Sequence, residues 1–251
     1  MRALARIYVI ATVLIALMAV GHLGLTWAQS ADDEKPQNLK VLPKNMSHRE
    51  VVEVMRGFSG ALGVGCDGCH SQKANSDEMD FAADKKPEKE AARKMMKMTA
   101  SINEQIGAMN FKDSLQVRCI TCHHGVKHPQ TLNALLMKSV SDKGVDAAIL
   151  EYRTLRGRYY GSAAYDFSAP ILNDVAGRLA ETKKDYDGAT KLVNLNLEFT
   201  PNDANTYVTL GRIQSGKGDK PGAIASFQKA LELDPNNRWA KRLLEQAKSG
   251  K

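Results

Sequence analysis

The sequence predicts an all-α chain in two helical parts, and three observations carry that expectation. Before about residue 110, apolar residues recur at three- and four-residue intervals, the period of a helix with one covered face. Towards the C-terminus, glycine, alanine and proline recur at a fixed offset of 34 residues, the mark of stacked helical pairs. No stretch alternates polar and apolar residues with the two-residue period of a strand.

The first 28 residues stand apart. Arg2 and Arg6 precede an apolar run from Ile7 to about Leu25, and Thr26-Trp27-Ala28 ends in the small residues that a signal peptidase reads. Residues 1–28 are therefore expected to be a signal peptide, with the mature protein in the periplasm. The other reading is an uncleaved anchor, since the run is almost long enough to span a bilayer. Removing these residues takes away two arginines and lowers the formal charge from +7 to +5. So small and dispersed an excess gives no reason to expect nucleic acid as a partner.

Residues 29–40 are polar and read as a lead-in. Ser47 and Glu50 have capping-box spacing, and Val51, Met55, Phe58 and Leu62 follow on one helical face. Gly63 and Gly65 should end this helix. Residues 71–88 read as a polar surface loop. A second helix should start near Pro87, a favourable first-turn residue, with Ala91, Met95, Met98, Ile102 and Ile106 as its apolar stripe. Near the C-terminus Gly177, Gly188, Ala189 and Pro201 recur as Gly211, Gly222, Ala223 and Pro235. Thirty-four residues is the tetratricopeptide period, so two helical pairs are expected, followed by a closing helix from Arg238 to Ala247. The second copy has Phe227 where the first has Val193. Residues 144–160 form a further expected helix outside the 34-residue register. The expected domains are 29–135 and 136–251, the latter a repeat-built region that can dock a protein.

Chemistry is concentrated in the four cysteines, which come as Cys66-Asp67-Gly68-Cys69-His70 and Cys119-Ile120-Thr121-Cys122-His123. Two thiols three positions apart on a helical turn can add to the two vinyl groups of one haem, and the next histidine then lies under the iron. CxxCH is the attachment signature of c-type haem, and here it occurs twice with no cysteine left over. Two other readings compete. A structural zinc would use four thiolates, but 53 residues between the pairs is long for a zinc ribbon and zinc needs no histidine after each pair. A dithiol redox couple usually sits in a βαβ unit, which this sequence lacks. Met55 lies 11 residues before Cys66 and Met95 lies 24 before Cys119, each on an apolar helix face. From such a position a thioether can reach an iron, or simply pack. His48, in the capping box, is expected to be exposed. His124 and His128 are the other spare histidines.

The stretch Met55–His70 (MRGFSGALGVGCDGCH), with Ala92–Asn103 (ARKMMKMTASIN) and the following CITCHHG, resembles the cytochrome c subunit of photosynthetic reaction centres. That family repeats a helix-borne methionine followed by CxxCH. The resemblance spans about residues 38–130. It implies two covalent haems c, with His70 and His123 as proximal ligands and Met55 and Met95 as sixth ligands. Met98 shares the face of Met95 and is the alternative; Met96 is expected to point away. The reaction-centre subunits carry four such motifs and this chain has two, with His124 where the family often has Arg or Gln. The implied function is single-electron transfer between redox proteins, a membrane-bound electron-transfer complex among them, in photosynthesis or elsewhere. The alternatives are a dihaem enzyme such as a peroxidase, which needs an open iron position, and a periplasmic scaffold with structural metal.

Overall fold

The computed structural model describes residues 35–110 and 116–249. The expected signal segment lies outside the described residues. Among those described, no helix is long and apolar enough to cross a membrane. The chain divides into two compact units after Lys127.

Unit 1 opens with α1, His48–Leu62. Its start is the expected capping box: the Ser47 hydroxyl accepts the Glu50 amide at 3.3 Å, and the Ser47 amide donates to the Glu50 carboxylate at 2.7 Å. The Ser47 bonds hold the Glu50 carboxyl below the usual carboxylate range. Such caps contribute about 1 kcal/mol. Gly63 ends α1 with φ +64°, a left-handed conformation that costs glycine nothing. His48, expected to be exposed, is half-buried. A 3-10 turn follows at Cys66–Gly68, then two two-residue strands, β1 (Ser71–Gln72) and β2 (Met79–Asp80), paired antiparallel. The expected loop of residues 71–88 thus closes on itself. The second helix, α2, is Pro87–Ala108 with proline in its first turn. The short α3, Cys119–His123, packs against α1.

The polar lead-in is also tied down. Asn38 and Lys40 bind the Asp84 carboxylate at 3.0 and 2.6 Å, and Arg93 of α2 binds it at 2.8 Å. Arg93 is the one fully buried residue of α2, whereas Met95 and Met98, on the expected covered stripe, are 39% and 47% exposed. Met96, expected to point away, is half-buried. Among the described residues of unit 1, Ala61 and Val126 are the fully buried apolar side chains.

Unit 2 is helical throughout: α4 (Leu132–Lys143), α5 (Val145–Tyr159), α6 (Ala169–Arg178) extended by a π turn, α7 (Tyr186–Phe199), α8 (Ala204–Lys217), α9 (Lys220–Leu233) and α10 (Arg238–Ser249). The expected domain boundary at 135/136 falls inside α4. Leu132 and Leu136 of that helix are buried against unit 2, so the helix belongs there in full. Pairs α6–α7 and α8–α9 are the two repeats. Asp185 and Asp219, 34 residues apart, cap α7 and α9 through the amides of Gly188 and Gly222. The main core joins Leu132, Leu136, Tyr152, Leu172, Leu192 and Ile213.

The repeats differ at one contact. A Cβ on Gly211 would overlap the Phe227 ring, while one on Gly177 would meet nothing within 4 Å. Val193 replaces the aromatic in the first copy, and with it goes the need for a close approach. Gly211→Ala is therefore expected to cost about 1–3 kcal/mol through overpacking. Gly177→Ala should be neutral or stabilising, because alanine is the better helix former. Thermal unfolding of the two variants checks this; equal losses would mean the asymmetry is not real.

Candidate functional site

Each cysteine pair sits on a single turn. In the first motif the amides of Cys69 and His70 donate to the Cys66 carbonyl, at 3.2 and 3.0 Å. In the second, the motif is itself α3: the Arg118 amide donates to the Thr121 hydroxyl at 3.0 Å at its start, and His124 ends it in a left-handed conformation, φ +48°. No disulfide joins any of the four cysteines. Among the described residues, no three His, Cys, Asp or Glu side chains converge as a ligand set. Burial pushes the Cys69 thiol up from its usual range, and Glu88 adds to this.

The two histidines are both buried, each 8% exposed, but they are held differently. Nδ1 of His123 lies 2.9 Å from the Val126 carbonyl. A carbonyl can only accept, so Nδ1 carries the proton and Nε2 keeps its lone pair free for a metal. His70 Nδ1 is buried with no hydrogen-bond partner, as is the hydroxyl of the adjacent Ser71. The Phe81 ring stands edge-on to the His70 imidazole, 5.2 Å between centroids. Burial lowers the His70 pKa, Lys89 lowers it further, and the Phe81 backbone pulls the other way. The neutral ring that results is the form a metal binds.

The motifs are brought together by backbone. The Gly125 amide, two residues after His123, donates to the Ala61 carbonyl at the end of α1, 2.9 Å away. Five residues after that carbonyl the chain enters the first motif at Cys66. Helix α2 is fastened to both motifs. Near its start Lys86 donates to the Asp67 carbonyl inside the first motif. Near its end the Asn103 side chain brackets the Val117 amide and carbonyl at 2.7 and 2.9 Å, two residues before Cys119. Met95 lies between these attachments, and Met55 is half-buried on α1. His124 and His128 are exposed.

The residues fit haem. Phe81, Met95, Met98, Met109 and Ile120 are large apolar side chains left exposed in a unit that buries little apolar protein of its own. Uncovered apolar surface next to thiols and a buried imidazole is what a porphyrin would cover. Sequence reasoning missed Asp84, Arg93 and Asn103, which fasten the site. Their residue types read as solvated surface, and no local pattern marks Arg93 as buried or Asp84 and Asn103 as fastening groups across the fold.

The family model described as photosynthetic reaction centre cytochrome C subunit matches residues 28–156, just over half of the chain. The tetratricopeptide repeat model matches residues 204–237. Cytochrome c-554 of Chloroflexus aurantiacus is 34% identical over 104 residues, which cover 40% of this chain and 23% of that protein. The chain thus spans about a quarter of the length of the curated relative it matches. Among solved structures, the first TPR of Spaghetti (RPAP3) bound to an HSP90 peptide aligns at TM-score 0.33 and 20% identity, over 47% of this chain and 89% of that one. The APC/C hetero-tetramer Cut9-Hcn1 aligns at TM-score 0.33 and 22% identity, over 46% of this chain and 22% of that one.

Proposed function

Because the chain belongs to the family of photosynthetic reaction centre cytochrome c subunits, which carry covalently bound haem c, we propose that it is an exported dihaem electron carrier. The observation that carries the reading is the pair of CxxCH turns, each ending in a buried imidazole, in a unit whose apolar side chains lack a protein core. Cys66 and Cys69 hold one haem and Cys119 and Cys122 the other. His70 and His123 would hold the irons as proximal ligands, and Met55 and Met95 would supply the second protein ligand to each. Each haem supplies a one-electron Fe(III)/Fe(II) couple when bound.

The protein's own part is to orient and enclose. The Val126 carbonyl fixes the tautomer of His123. The backbone bond between Gly125 and Ala61 keeps the second attachment turn against the end of α1. Methionine at both sixth positions leaves no iron open for substrate, which favours a carrier over a peroxidase. The partners are redox proteins outside the cytoplasmic membrane, with unit 2 as a docking module for one of them.

Intact mass after acid–acetone extraction tests the reading in one measurement. The expected value is the polypeptide from Gln29 to Lys251 plus two haems. A mass with one haem or none removes the dihaem carrier. A mass that includes residues 1–28 makes the protein anchored rather than released.

A further inference from the structure

The two attachment motifs are chemically alike in sequence and unlike in their surroundings. At the second, the proximal imidazole donates a hydrogen bond to a carbonyl, Val126, at 2.9 Å. Such a bond raises the basicity of the ligand and favours the ferric state. The nearest cations in sequence, Arg118 and Lys127, are exposed, and Lys127 is paired with Glu88 at 3.2 Å.

At the first motif, no hydrogen bond of that quality holds Nδ1 of His70, and the backbone group acting on the ring is that of Phe81. Two cations stand beside it with little exposure. Lys89 has 13% of its side-chain surface exposed and Arg93 10%. The Lys89 ammonium donates to the carbonyls of Phe81, Ala82 and Ala83 at 2.9, 3.0 and 2.9 Å. It is thereby held next to the residue whose ring packs on His70. Both cations are reached by one carboxylate: Asp84 lies 2.8 Å from Arg93 and 3.2 Å from Lys89, and it also takes Lys40 at 2.6 Å. Other charges facing this cluster are Asp80, 3.8 Å from Lys85, and Glu90, 3.2 Å from Arg93. A poorly solvated positive charge near an iron favours the ferrous state, because little water screens it.

We infer that the haem on Cys66 and Cys69 has the higher reduction potential of the two, and that Asp84 is a positioning residue that sets it by holding and partly neutralising Lys89 and Arg93. This rests on the dihaem reading above. An electron arriving on the protein then settles at the first motif, and the second is the easier one to oxidise.

A spectroelectrochemical titration of the full chain, with haem per chain counted by the pyridine haemochrome on the same sample, tests this. Two waves are expected, separated by at least tenfold in the reduced-to-oxidised ratio, about 59 mV for one electron. Lys89→Gln should lower the higher wave, and Asp84→Asn should raise it; both should leave the lower wave in place. Mere loosening of the 80–86 loop would move the two variants in the same direction, so opposite shifts separate electrostatics from packing. Two haems with a single wave, shifts of the same sign, or shifts confined to the lower wave overturn the inference while the carrier stands. Fewer than two haems per chain would instead overturn the carrier reading itself.

Discussion

Met55→Ala and Met95→Ala will each open one iron to carbon monoxide and remove about half of the long-wavelength band that marks a methionine–ferric haem bond. The reason is ligand softness. A thioether favours Fe(II), so its loss lowers the potential of that haem. Axial ligands set haem potentials over a range of about 0.8 V, the widest lever the protein has. Met55 is half-buried on α1, and Met95 is partly exposed on a helix fastened to both motifs, so neither substitution opens a packed protein core. Protein stability should change little beside the change at the iron. Should Met95→Ala leave the spectrum intact while Met98→Ala alters it, the helix is right and the ligand is one turn along. If the reduced wild-type protein already binds carbon monoxide, an iron is open and the dihaem enzyme becomes the better reading.

Gly63→Ala is expected to be the most damaging small substitution in unit 1. The residue has φ +64°, where a non-glycine costs about 1–2 kcal/mol. Its new Cβ would also overlap the Gly125 carbonyl oxygen, which is backbone and cannot swing aside. Relief requires the second motif to move away from α1, and the bond from the Gly125 amide to the Ala61 carbonyl is then lost. Leaving that amide without its acceptor adds about 1–3 kcal/mol. The total of about 2–5 kcal/mol is a large share of the stability of a typical domain. Purified Gly63→Ala should show a lowered midpoint of thermal unfolding monitored at the Soret band. By contrast Gly57→Ala and Gly60→Ala, with open space at their Cβ positions inside α1, should unfold no earlier than the parent. A Gly63→Ala protein as stable as these would mean the backbone contact is not maintained in solution.

The features legible in the sequence are those set by near neighbours. Ser47 with Glu50, Gly63 at the end of α1, Pro87 at the start of α2 and the 34-residue offset are local or periodic, and each fell where expected. The features that were not legible depend on what lies across the fold. Helix α4 has a capping threonine, but Ser139 sits among its buried positions and blurs the stripe. Asn196 reads as a polar surface residue. It is 1% exposed, and its amide reaches the Ala169 carbonyl, Asn173 and Thr206 at 2.8, 3.0 and 3.1 Å. Arg93, of a residue type that usually faces water, is the buried anchor of α2. The cysteines, histidines and methionines stood out because few other functions use those residue types at those spacings. What holds them in place is made of ordinary residues, and their partners are known only once the chain is folded.

The unequal cores of the two units set an order of maturation. Unit 2 closes around Leu132, Tyr152, Leu172 and Leu192 with polypeptide alone. Among its described residues unit 1 fully buries two apolar side chains, Ala61 and Val126, too little to offset the entropy of ordering its loops and helices. On the dihaem reading proposed above, a newly made chain has one half that settles at once and another that waits for its porphyrins. During that wait the cysteines stay within reach of the machinery that forms thioether bonds. A chain that never meets that machinery would carry a finished C-terminal half behind an open N-terminal one, the part a housekeeping protease finds first.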